Sequence, residues 1–125
     1  MFGISLDNRS PIHEQLTKKI TDMILSGVLE ENEPLPSVRE LAAELGVNPN
    51  TIQKAYSELE RVGATYSVNG KGRFVTDNAE GVRKLKVKEK NETLARDVKD
   101  LIKLGVSYTE VIEEIRKIYD KEENL

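Results

Sequence analysis

Four polar side chains, Asn50, Gln53, Lys54 and Ser57, stand at i, i+3, i+4 and i+7, the spacing that stacks residues along one face of an α-helix. None is acidic, in a chain with 22 Asp+Glu and a formal net charge of −3. The amides of Asn and Gln can each pair a donor and an acceptor with the edge of adenine, and a Lys ammonium can bond guanine or phosphate. The chemistry open to this stripe is therefore the reading of base edges in a major groove. A solvated polar stripe without a ligand is the alternative. Ile52, Ala55, Tyr56, Leu59 and Val62 repeat at the same period on the other side, which would bury that face.

Two smaller groups could add backbone contacts. Arg39, with Ser37 beside it, falls at the start of a second short helix, where a cation and a hydroxyl could hold phosphate; the alternative is an arginine bridged to Glu40 or another nearby acid. Asn69, Gly70, Lys71, Gly72 and Arg73 form a glycine-rich tip that would expose backbone N–H groups and two cations to phosphate or a minor groove, unless Asn-Gly simply makes a turn. Catalytic groupings are missing from the sequence. It has one histidine, His13, which reads as a surface or packing residue, no cysteine, and neither a phosphate-loop nor a nucleophile-elbow pattern, so no enzyme activity, cofactor or metal site is expected.

The elements that must position these side chains can be read from their punctuation. Ser10-Pro11 is suited to open a first helix over about 11–26, with serine as cap, proline as first helical residue and Ile12, Leu16, Ile20, Met23 and Ile24 on one stripe. Gly27 suits its end, and Glu30 to Pro36 reads as a connecting loop. Ser37 to Glu40 is a capping box, and Val38, Leu41, Ala42 and Leu45 supply the buried face of the helix it opens. Gly46 ends that helix, Asn48-Pro49 starts the next, and Val47 and Ile52 are placed as a hydrophobic staple. So short a turn forces two helices to cross steeply and share a core, the outline of a helix-turn-helix. After Gly63, Thr65 to Val68 and Arg73 to Val75 are rich in β-branched and aromatic residues around Asn69-Gly70, which predicts a hairpin packed on the helices as a wing.

From Asn78 onward the period becomes helical again: Leu94, Val98, Leu101 and Ile102 precede a break at Gly105. Val111, Ile112, Ile115, Ile118 and Tyr119 follow a second capping box at Ser107 to Glu110. So small a helical hairpin cannot bury both stripes on itself. Pairing with a second copy through Leu94, Val98, Leu101, Ile102, Val111, Ile115 and Ile118 would make a twofold homodimer, with packing back onto the winged domain as the alternative. The basic run Arg83, Lys84, Lys86, Lys88 and Lys90 could track phosphates or simply face solvent, and Val82, Leu85 and Val87 fit either a helix or an extended linker. The expected organisation is a winged helix-turn-helix over 1–76 and a two-helix dimerisation hairpin over 77–125, mainly α with one small β-hairpin.

The charge balance weighs against DNA as a partner without excluding it. Residues 1–76 carry eight Lys+Arg against ten Asp+Glu and residues 77–125 eleven against twelve, but affinity depends on which face the cations occupy. The absence of cysteine, of a signal-peptide pattern and of a long apolar run makes a cytoplasmic location the expectation, with no membrane partner.

The segments LPSVRELA, LGVNPNTIQKAYSELERVG and NGKGRFV resemble the GntR family of bacterial transcription regulators, and the short chain resembles its YtrA subfamily. That resemblance implies DNA contact by Arg39, Asn48, Pro49, Asn50, Thr51, Gln53 and Gly70. It also implies a homodimer on a palindromic operator and repression of a neighbouring transporter-type operon. The chain departs from the pattern at Ala64-Thr65, where a bulky apolar pair is usual, and at Arg73, where a small polar residue is common. A winged domain used for protein docking is the rival function, and its mark would be apolar residues on the exposed face of the third helix. Whether a small-molecule effector binds stays open at this level.

Overall fold

The computed structural model describes residues 3–123 as five helices and one two-stranded sheet. The order is α1 (Ile12–Leu25), α2 (Val38–Leu45), α3 (Pro49–Arg61), β1 (Thr65–Val68), β2 (Gly72–Val75), α4 (Ala79–Lys103) and α5 (Tyr108–Glu123). The chain divides into two compact units after Leu85.

In the first unit, α3 is the central element and packs on α1, α2 and β1. The apolar stripes meet there: Leu16 and Ile20 of α1, Leu41 of α2, and Ile52, Ala55, Tyr56 and Leu59 of α3 are all buried. Ala64, one of the departures from the family pattern, is fully buried beside them, and Thr65 is nearly so. The small residue thus fits the tight entry from α3 into β1. Val82, in the first turns of α4, joins this core and Leu85 packs against it, which settles that stretch as helix.

The start of α1 differs from the expectation. Pro11 is the cap residue and the helix begins at Ile12; Ser10 supplies no side-chain cap. Gln15 instead ties down the segment before the helix: its Nε2 donates to the carbonyls of Ser10 (2.7 Å) and Asp7 (2.9 Å), and its Oε1 accepts from Asp7 N–H (3.0 Å). The first turn's side chain thereby holds the preceding segment against the helix.

The loop before α2 is also more than a connector. Leu35 N–H donates to the Arg73 carbonyl, Asn32 N–H to the Val75 carbonyl, and Val75 N–H to the Glu33 carbonyl, with Pro34 bridging Phe74. Residues 32–35 therefore run antiparallel along the free edge of β2, and β2 has pairing on both sides. β1 and β2 pair with Thr65 opposite Val75 and Ser67 opposite Arg73. Their connection is Asn69-Gly70-Lys71, closed by Lys71 N–H donating to the Val68 carbonyl at 3.0 Å, and only the glycine of the Asn-Gly pair has positive φ (+76°). Tyr66 and Phe74 stack on the outer face at 5.6 Å, and Tyr66 Oη donates to Asn32 Oδ1 at 2.8 Å.

The second unit consists of the rest of α4 and of α5. The break at Gly105 and the cap at Ser107 are as the punctuation predicts, with Ser107 Oγ accepting from Glu110 N–H at 3.2 Å. Beyond the turn, however, the two helices make little contact with each other, so the expected hairpin is open.

Candidate nucleic-acid interface

The helix-turn-helix is built by two caps. Ser37 Oγ accepts from Glu40 N–H at 3.1 Å to start α2, and Asn48 Oδ1 accepts from Asn50 N–H at 2.8 Å to start α3, with Pro49 in the first turn. Between them Gly46 adopts the left-handed conformation (φ +67°) and its N–H returns to the Ala42 carbonyl. This turn exposes Asn48, Pro49 and Asn50 at the start of α3 and half-buries Thr51.

All four residues of the polar stripe, Asn50, Gln53, Lys54 and Ser57, are exposed, and the apolar stripe opposite is buried. Gln53 Nε2 donates to Ser57 Oγ at 3.1 Å. That bond links the two side chains along the exposed stripe, and a Gln amide carries both the donor and the acceptor that an adenine edge requires.

Arg39 is exposed and, among the described residues, has no ion-pair partner; the bridge to Glu40 does not form. Ser37 lines a cleft of about 480 Å³ between the start of α2 and the wing, which also meets Tyr56, Asn69, Gly70, Lys71, Gly72 and Arg73. The cleft thus brings Ser37 and the wing-tip residues together.

Arg73 is placed differently from the expectation of an exposed tip cation. It lies in β2, not in the turn, and its side chain is 18% exposed. Its guanidinium sits over the Tyr56 ring, 5.0 Å from the centroid, and Nη1 is 3.9 Å from Glu60 Oε2. Strand alternation explains this, since Arg73 shares the face of Val75, which is 1% exposed. Counting alternation back from the apolar Val75 was the sequence signal for an inward arginine. Lys71 remains as the tip's exposed cation among the described residues.

Sequence reasoning also missed a partner of Tyr56. Its ring belongs to the apolar stripe, but its hydroxyl donates to the Pro36 carbonyl at 2.8 Å, tying α3 to the residue before the α2 cap. Burial pushes the Tyr56 hydroxyl up to about 12, with Arg73 opposing the shift and Glu40 adding to it.

In the second unit no described residue is fully buried. Leu94, Val98, Leu101, Val111, Ile115 and Ile118 line an apolar groove of about 690 Å³, while Ile102 lies off the groove and is 64% exposed. The basic run is helical, and within it Arg83 is engaged by Glu80 at 2.9 Å.

Residues 12–75, the span that holds the helix-turn-helix and the wing, match the bacterial regulatory proteins of the gntR family. The chain belongs to the GntR family. It is 41% identical over 106 residues to the uncharacterized HTH-type transcriptional regulator YhcF of Bacillus subtilis, covering 85% of this chain and 88% of that protein. It is 44% identical over 78 residues to the HTH-type transcriptional repressor YtrA of the same organism, covering 61% of this chain and 60% of YtrA. Among solved structures, a transcriptional regulator from Oenococcus oeni superposes with a TM-score of 0.69 at 32% identity, over 94% of this chain and 98% of that one. The DNA-binding domain of AraR, solved in complex with operator ORR3, superposes with a TM-score of 0.51 at 32% identity, over 58% of this chain and 88% of that one. The GntR-family chain is thus a transcriptional regulator with an N-terminal winged DNA-binding domain. No helix among its described residues is long and apolar enough to cross a membrane.

Proposed function

We propose that this GntR-family regulator binds a palindromic operator as a homodimer and represses transcription of a neighbouring transporter-type operon from within the cytoplasm. The observation that carries the reading is the exposed, acid-free stripe Asn50, Gln53, Lys54 and Ser57, in which Gln53 and Ser57 are hydrogen-bonded to each other. Asn50 and Gln53 read base edges from the start and first turns of α3; Arg39, Ser37 and Lys54 hold phosphates; Asn48, Pro49 and Thr51 bring the helix start against the backbone. Asn69, Gly70, Lys71 and Gly72 form the wing contact. The relative YtrA, named a repressor, supports the sign of regulation, and the AraR domain on its operator supports the mode of docking.

Pairing through the apolar groove of the second unit gives the twofold symmetry that a palindrome mirrors. The docking-module alternative lacks its mark, since the exposed face of α3 is polar throughout the stripe.

The test is fluorescence anisotropy with the promoter DNA beside the protein's own gene, titrated at several salt concentrations. Binding to that DNA well above binding to scrambled DNA of equal length is expected. Weak binding that is uniform across sequences would transfer the protein to the docking class. Gln53→Ala should lose about 1–3 kcal/mol on the parent operator and much less on an operator altered at the one base pair it reads.

A further inference from the structure

We propose that Arg73, Tyr56 and Glu60 form a latch that sets the wing against the recognition helix, so that Arg73 is a positioning residue for operator binding and not a phosphate contact. The proposal rests on the operator-binding reading above and adds to it a residue outside the family pattern.

Tyr56 and Glu60 are one turn apart on α3, so they present a ring and a carboxylate on neighbouring steps of the same helix. Arg73 reaches both: its guanidinium carbon lies 5.0 Å from the Tyr56 centroid and its Nη1 3.9 Å from Glu60 Oε2. The anchor it grips is itself fixed, because Tyr56 Oη bonds the Pro36 carbonyl at 2.8 Å. The backbone of the same arginine receives Leu35 N–H at 2.9 Å, so one residue of β2 holds α3 by its side chain and the 32–35 segment by its carbonyl.

A two-stranded hairpin has little stability of its own, and its tip can be aimed only by what grips its strands. The wing's outer face is closed by the Tyr66–Phe74 stack, and at the end away from the tip its inner face is closed by buried Val75 and Thr65. Nearer the tip, the inner position opposite Ser67 is Arg73. An arginine there can bridge from a strand to a helix while its charge is answered by a ring face and a carboxylate, where the small polar residue common in the family cannot span the gap. Nη1 is buried and makes no hydrogen bond, so the head is held by the ring and by charge at a distance. With Nη1 buried, that nitrogen is turned away from any phosphate.

The two roles predict opposite signs for Glu60. If Arg73 is a latch, removing the carboxylate loosens the wing; if Arg73 waits to bind phosphate, removing it frees the arginine and strengthens binding. The experiment compares the parent protein with R73T, R73K and E60Q. Its readouts are amide hydrogen exchange of residues 65–75 in the free protein and operator affinity across a salt series. The latch predicts that R73T speeds wing exchange and weakens operator binding, each about tenfold, with the salt slope unchanged. R73K, which keeps a cation over the ring, recovers part of both, and E60Q weakens binding in the same direction as R73T. A salt slope lowered by about one in R73T, or tighter binding by E60Q, would overturn the latch in favour of a phosphate contact. Unchanged wing exchange in R73T would overturn it as well. Should R73T not fold, as judged by circular dichroism, R73K and E60Q still decide the sign. Should the parent not bind its operator, the functional reading fails while the exchange rates still judge the latch.

Discussion

Tyr56 is the residue on which the reading head converges. It is 1% exposed, carries the Arg73 cation on its face and closes its hydroxyl on the Pro36 carbonyl. Its ionisation is therefore linked to folding. With its hydroxyl pushed from 10.0 to about 12, the native protein keeps the proton at pH values where the unfolded chain loses it. Protons bound by the unfolded state are then fewer, so stability falls as pH rises from about 10 towards 12, by about 2–3 kcal/mol. Urea unfolding across that range, compared with Tyr56→Phe, isolates the effect: the variant should lack this part of the decline. At neutral pH the same variant should lose about 1–2 kcal/mol, because the Pro36 carbonyl is left without its donor. Residue type and helical period suffice to place Tyr56 in the core. They do not identify an acceptor 20 positions upstream, because that pairing depends on how α2 and α3 cross. Arg73 is the reverse case: its glycine neighbours suggest a tip, whereas strand alternation from Val75 turns it inward.

At the scale of elements, the caps and the turn are legible because each rests on one residue's local chemistry. Ser37, Asn48 and Ser107 all accept the backbone N–H that their positions predict. What stayed hidden is pairing at a distance: the 32–35 segment along β2 has an asparagine, an acid and a proline where a strand pattern would be sought, and it pairs with residues 73–75 far along the chain. Gly46 is the most exposed test of the local logic. A Cβ there would meet nothing within 4 Å, so the cost of Gly46→Ala is purely that of holding an L side chain at φ +67°. That cost is about 1 kcal/mol, equivalent to a melting temperature lower by about 4–8 °C for a domain of this size. Gly46→Asn should recover part of it, since asparagine tolerates the left-handed region better. Equal melting of all three proteins would show that the turn is not held in this conformation in solution.

At the scale of the molecule, the polar face proposed to read DNA and the apolar face that has no cover belong to different compact units, and each explains a deficit in the other. The first 76 residues carry only eight Lys+Arg, so a single winged unit has few cations to place on phosphate. The unit from Lys86 onward has no fully buried residue among those described, and its two helices hardly touch, so it lacks a core of its own. A second copy seated in the groove of Leu94, Val98, Leu101, Val111, Ile115 and Ile118 would supply that core and double the cations on the operator. Ile115→Asp places a charge on the groove wall and should convert the proposed dimer to monomer in sedimentation velocity at micromolar concentration. Helix content should fall by an amount that matches α4 and α5 beyond residue 85, while α1 to α3 still melt cooperatively. Operator affinity should drop about a hundredfold or more, because two linked half-site contacts become one. Binding to a single half-site should stay close to the parent's. A parent that sediments as a monomer, or an Ile115→Asp variant that still binds the full palindrome as tightly as the parent, would require the groove to be covered by something other than its own copy.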